Sequence, residues 1–186
     1  MLYGIILAGG YSSRMKTNKA LLAVDNKPLI LFAIDSMRQV VDQVVVVTGR
    51  YHDEINELLK NEKNVEVVYN PDYEKGMFTS VLAGVRHVKD DFFVSPVDCP
   101  FVKKETFESL LSGSKEVRFP RYQGQDGHPL FISKSLINEL LNTSLQSNLR
   151  EFRNSHDYEA IEVNDKNVLI DIDTMSDYQN VIEERR

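Results

Sequence analysis

Gly9 and Gly10 stand directly behind the apolar run Tyr3 to Leu7, and two cations, Arg14 and Lys19, follow soon after. Small residues after a buried strand let the backbone come close to a bound group, and the exposed N–H groups of such a turn can cradle phosphate. Arg14 offers a planar fork and Lys19 a point charge, so the pair can grip one polyphosphate. The glycines alone equally describe a tight strand-to-helix turn without ligand, and the cations alone equally describe ordinary surface charge. Their succession favours phosphate. The spacing is neither the Gly-x-Gly-x-x-Gly of dinucleotide folds nor the Gly-Lys-Ser/Thr of a P-loop. Further on, Asp98 follows the apolar run Asp91 to Val97. A carboxylate there can help hold Mg²⁺, which takes one or two carboxylates with water and substrate phosphates. Its structural alternative is a cap on the helix after Pro100. Cys99 is the only cysteine; it reads as a small buried hydrophobe and is assigned no chemistry.

These groups need a scaffold that brings strand ends together. Short apolar runs alternate with stretches of helical period, the pattern of βαβ units around a parallel sheet. Strands are expected at Tyr3 to Leu7, Gln43 to Thr48, Val65 to Tyr69 and Asp91 to Val97. Helices are expected at Pro28 to Val40, with Pro28 in the first turn, and at Asp53 to Lys60, Thr79 to His87 and Lys103 to Leu111. Past residue 112 the turn-rich Tyr122 to Pro129 lies between strand-like Val117 to Arg121 and Leu130 to Ser133, which reads as a hairpin insertion. Helices at Leu136 to Leu141 and Leu145 to Phe152, strands at Tyr158 to Val163 and Val168 to Asp171, and a helix at Met175 to Glu184 complete the chain. No Gly-, Ser- or Pro-rich linker divides it, so one domain is expected over residues 1–186. In an open α/β sheet the carboxyl ends of the strands form the binding crevice, which places Asp98 over the phosphates.

The pattern Leu7-Ala8-Gly9-Gly10-x-Ser12-x-Arg14-Met15-x-x-x-Lys19-Ala20-Leu21-Leu22 resembles the opening of the MobA/MocA-like nucleotidyltransferases, which attach GMP or CMP to molybdopterin. Lys16 replaces the Gly that usually follows Arg-Met. Four further blocks agree in order: Gly76 to Val81, Val97 to Val102, Gly127 to Phe131 and Asp171 to Tyr178. The resemblance implies a Rossmann-like three-layer α/β sandwich with a mostly parallel sheet, of the nucleotide-diphospho-sugar transferase type. It implies that Leu7, Ala8, Gly9, Gly10, Arg14, Lys19, Gly76 and Ser80 bind the nucleotide, with Arg14, Lys19 and Asp98 catalytic. It gives Mg²⁺ to Asp98 and Asp173, and the acceptor to His128. Read locally, Asp173 is equally an N-cap for the last helix, Gly76 to Ser80 a Gly turn opening a helix, and His128 an exposed turn residue. Asp171 would share a face with Asp173 if its strand continues, so geometry alone leaves both as candidate ligands.

The reaction implied is in-line attack by a terminal phosphate oxygen of the acceptor on the α-phosphorus of an NTP, releasing pyrophosphate. Leu-Ala-Gly-Gly is more typical of GTP users in the family, whereas Gly-Met-x-x-Ser and Gly-His-Pro look like the CTP group; two blocks against one favour CTP. The implied acceptor is molybdopterin, with a molybdoenzyme as possible recipient of the product. Two alternatives stand beside this reading. A sugar-1-phosphate nucleotidyltransferase would open Gly-x-Gly-Thr-Arg-Leu, which is absent here. A non-catalytic nucleotide-sensing or cofactor-chaperone module would have lost Asp98 and Asp173. With 22 Lys+Arg against 28 Asp+Glu and a formal charge of -6, there is no basic footprint for nucleic acid. Neither a signal peptide nor an 18-residue apolar span is seen, so a cytoplasmic protein that does not enter the membrane is expected.

Overall fold

In the computed structural model, residues 1–10 and 18–185 are described, and the structural statements below concern these. Every residue of β1 (Tyr3–Ala8) is buried, as are all but the first of β4 (Gln43–Thr48). Side chains on a strand alternate between faces, so Ile5, Leu7, Val45 and Val47 enter one core while Ile6, Ala8, Val44 and Val46 enter another. Strands of this kind require helices on both sides.

The first half of the chain runs through β1, the short pair β2 (Ala23–Val24) and β3 (Lys27–Pro28), α1 (Leu29–Met37), β4, α2 (His52–Leu59) and β5 (Val65–Tyr69). It continues with α3 (Met77–Val85), β6 (Phe92–Pro96) and α4 (Lys104–Leu111). Then follow β7 (Val117–Tyr122), β8 (Gln125–Asp126), β9 (Leu130–Ile132), α5 (Ile137–Leu141), α6 (Leu149–Asn154), β10 (Tyr158–Glu162) and α7 (Met175–Glu184). The main sheet has the order β10-β7-β9-β6-β1-β4-β5, with β8 paired to β7. β1 lies parallel to both β4 and β6, and β5 is parallel to β4 as β10 is to β7. Only β9, between β6 and β7, and the β8 tip run antiparallel.

Helices α3, α5 and α6 contribute Val81, Leu140 and Phe152 to the core on one face. On the other, α1, α2 and α4 contribute Ile34, Ile55 and Phe107. Helix α7 lies outside these, its Tyr178, Val181 and Ile182 against a small cluster of Val24, Leu29 and Ile172. The chain is thus a three-layer α/β sandwich around a mostly parallel sheet. The expected hairpin is present, and its strands are continuous with the main sheet rather than standing outside it.

Three local expectations are corrected. Val168 to Asp171 is not a strand: a 3-10 helix spans Lys166–Leu169, because the Asp165 carboxylate accepts from the Asn167 amide and tightens the chain there. The helix expected from Leu145 starts only at Leu149, where the Asn148 side chain caps it by accepting from the Glu151 amide. Pro28 stands just before α1, in the two-residue ladder with Ala23, and not inside the first turn.

Candidate active site

Lys19 is set by its neighbour. Asn18 is nearly buried, and its side-chain oxygen accepts from the Ala20 amide at 3.1 Å, capping the 3-10 turn Lys19–Leu21. That turn directs the Lys19 ammonium to Asp98 Oδ2 at 3.0 Å and Asp173 Oδ1 at 2.7 Å. Burial works against the charged ammonium, but the Asp98 charge and the hydrogen bonds to both carboxylates outweigh it and hold the Lys19 pKa above the ordinary lysine value. Lys19 is therefore a cation at neutral pH.

Asp98 stands just past the carboxyl end of β6, where the Val97 amide donates to Leu7 O and the Cys99 amide to Pro96 O. It does not cap α4, whose entry is held instead by buried Asp165, accepting from the Lys103 amide and the Thr106 hydroxyl. The backbone of Asp98 also recruits its partners. Its carbonyl accepts from the Ile172 amide at 3.3 Å, and the Cys99 thiol donates to Ile170 O at 2.7 Å. Ile172 is fully buried, so Asp171 and Asp173 flank a fixed point. Their carboxylates and that of Asp98 offer oxygens within 4.8 Å of one another. Burial and the charges of Asp98 and Asp173 push the Asp171 carboxyl up to about 6, against the pull of Lys19. Asp173 is not the N-cap of α7. Thr174 takes that place in a capping box with Asp177, and Asp173 is left facing the cluster. Cys99 is buried, and burial raises its thiol pKa far above neutrality, so it holds no nucleophilic thiolate.

A cavity of about 440 Å³ opens beside this cluster, at the carboxyl ends of β1 and β6. Leu7, Ala8, Gly9, Gly10, Pro96 and Val97 line it, and Lys19, Asp98 and Asp173 bring their charges to it. Tyr73, Glu74, Gly76, Met77 and Ser80, at the entry to α3, line it as well, with Ser80 beside Gly9. Of the residues expected to bind nucleotide, Leu7, Ala8, Gly9, Gly10, Lys19, Gly76 and Ser80 thus meet in one cavity, while Arg14 lies outside the described residues. His128 does not line this cavity. It is half-buried, its amide donates to Val168 O at 2.9 Å, and burial lowers its pKa so that the ring is neutral at neutral pH.

Reading by residue type missed three contributors. Asn18 acts through its cap, which an Asn ahead of a short turn could have signalled. Tyr73 and Asn70 lie in the connection between β5 and α3, where no pattern in the sequence marks them.

The sequence from residue 4 to 160 matches the MobA-like NTP transferase domain. The molybdenum cofactor cytidylyltransferase of Escherichia coli (strain K12) is 29% identical over 176 residues, 94% of this chain and 92% of that protein. A probable molybdenum cofactor guanylyltransferase of Bacillus cereus (strain AH187) is 29% identical over 153 residues, 79% of this chain and 75% of its own. The crystal structure of Rv0371c from Mycobacterium tuberculosis H37Rv superposes with a TM-score of 0.86 at 24% identity, covering 98% of this chain and 97% of that one. A structure of the same protein in complex with manganese gives 0.82 at 22% identity, with 98% of each chain covered. The chain belongs to the MobA-like NTP transferase family. It is a nucleotidyltransferase.

Proposed function

We propose that this enzyme transfers a nucleoside monophosphate, CMP in preference to GMP, from an NTP to the terminal phosphate of molybdopterin or its molybdenum form. The observation that carries this reading is the convergence of Lys19, Asp98 and Asp173 in the cavity that Gly9 and Gly10 border. A cation and carboxylates beside a glycine turn suit a triphosphate with its counter-ion. The Tyr73 ring and Met77 add aromatic and apolar surface to the same cavity, which suits a base. The cytidylyltransferase relative matches over a larger share of the chain than the guanylyltransferase, which supports CTP.

The three clustered carboxylates form an all-oxygen donor set, which fits a hard divalent cation, Mg²⁺ by this reading. Asp98 and Asp173 would hold the ion, which supplies neutralisation of the charge on the triphosphate and on the departing pyrophosphate. Lys19, with Arg14, steadies the phosphates as the acceptor oxygen bonds to the α-phosphorus and the bond to the bridging β-oxygen breaks. The attacking phosphate oxygen is already anionic, so no side chain has to remove a proton. His128 orients the acceptor. The product would pass to a molybdoenzyme in the cytoplasm; among the described residues no helix is long and apolar enough to cross a membrane.

The test is to incubate the protein with Mg²⁺ and each of the four ribonucleoside triphosphates, with and without molybdopterin, and to follow pyrophosphate. Release is expected with CTP and molybdopterin together, and no release in any combination would overturn the reading. Asp98→Ala should lower the rate at least about 100-fold, the scale of removing one preorganised charge-stabilising group, with a thermal midpoint close to that of the unchanged protein.

A further inference from the structure

Asn70 follows β5 and is almost fully buried, with its amide donating to Thr48 O at 2.9 Å, so its backbone continues the β4–β5 ladder. Its side chain reaches across to the first turns of α3. Oδ1 accepts from the Asp72 amide at 3.0 Å, while Nδ2 donates to Thr79 Oγ1 at 2.9 Å and Ser80 Oγ at 3.0 Å. Chemistry fixes this amide orientation. Reversed, the NH₂ group would face the Asp72 N–H, donor against donor.

The two hydroxyls then differ in what they have left to give. Thr79 spends its proton on Asp72 O or Gly76 O, at 2.9 and 2.8 Å. Ser80 accepts from Asn70, and among the described residues nothing accepts its proton. Ser80 lines the cavity beside Gly9. Room for the hydroxyl is left by Gly9, where a Cβ would stand 2.9 Å from Ser80 Oγ.

We infer that Asn70 is a positioning residue for base recognition: by donating to Ser80 Oγ it fixes that hydroxyl as a donor to a base held in the cavity. The base is thereby selected for a carbonyl or ring-nitrogen acceptor at that point, and one presenting an amino or N–H group there is disfavoured. Asn70 touches no substrate and acts through Ser80. The inference rests on the nucleotide reading of the cavity given above.

The experiment measures the Kd of CTP and GTP by calorimetry in the presence of Mg²⁺, with inorganic tripolyphosphate as a probe that lacks a base. The proteins compared are the unchanged chain, Ser80→Ala, Asn70→Ala, Asn70→Asp and the double variant Asn70→Ala/Ser80→Ala. Ser80→Ala should weaken the tighter of the two nucleotides about tenfold, the worth of one good hydrogen bond, and leave tripolyphosphate binding unchanged. Asn70→Ala should lose the same factor and the double variant no more. Asn70→Asp, nearly isosteric but acceptor-only, should lose at least as much, because Ser80 then donates to the aspartate and turns its lone pairs to the base. Losses that add in the double variant, or tripolyphosphate affinity falling in parallel, would overturn the inference. If the Asn70 variants fail to fold, an unchanged nucleotide affinity in Ser80→Ala overturns it by itself. An unchanged chain that binds tripolyphosphate and nucleotide equally well removes the base contact alone, whereas one that binds neither removes the nucleotide reading of the cavity as well.

Discussion

Lys19 lies between two carboxylates of different origin, Asp98 from the end of β6 and Asp173 from the segment before α7. It offsets part of the repulsion among three clustered acids, and Asp171, the most exposed of them, carries what is left over. Because the Asp171 carboxyl is raised from 3.8 to about 6 in the folded chain, its ionised form is destabilised there. The penalty is absent below the ordinary carboxyl value, where folded and unfolded chains are both protonated, grows between the two values, and is complete above about 6, where both are ionised. Asp171→Asn should therefore raise the thermal midpoint in EDTA at pH about 7.5 and leave it unchanged at pH about 3.5. Solvent screening of this exposed group limits the gain to about 1 kcal/mol, or ~3 °C for a chain of this size. Equal midpoints at the higher pH would refute the destabilisation of the ionised form by burial and by the Asp98 and Asp173 charges. Read as a pattern, the sequence left Asp171 and Asp173 as alternatives, since it showed only two acids two apart. Both in fact reach Asp98, since the buried Ile172 between them is anchored to the Asp98 carbonyl.

At the scale of elements, the strands and helices around the cavity were legible because each has a strong period: the unbroken β-branched run of β4 and the apolar stripe of α1. The 3-10 helix Lys166–Leu169 was not. Its run Val168 to Asp171 has the composition of a strand, and composition lost to one buried side chain. Asp165 accepts from the amides of Lys103 and Asn167 and from the Thr106 hydroxyl, tying the entry of α4 to the segment that leads to Asp171 and Asp173. Asp165→Ala would leave these donors unpaired in the interior, at a loss of about 3 kcal/mol, read as a lower denaturation midpoint in urea with an unchanged slope. A loss below about 0.5 kcal/mol, within the range of neutral surface changes, would show that the tie carries no weight.

Across the whole molecule, β1 is the axis. It is hydrogen-bonded on both sides, to β4 and β6, and buried on both faces, and it delivers Gly9 and Gly10 to the same end of the sheet as Asp98. The amides of Ile5, Ile6, Val45 and Val46 should accordingly open only with global unfolding and exchange slowest. Those of the edge strand β10, whose residues are half-buried or exposed, should exchange at least about tenfold faster through local opening. Equal protection at the edge would contradict a stability centred on β1. The sequence by itself determined what is local and periodic: an α/β chain, a glycine turn behind the first strand, a cation and a carboxylate at strand ends, and a family motif around them. Only the tertiary structure decided which groups meet. The approach of Asp173 to Lys19, the strand order that inserts β9 beside β6, and the amide of Asn70 behind Ser80 depend on contacts between residues far apart in the chain. No local preference encodes such contacts, because they follow from how buried side chains such as Ile172 close the core.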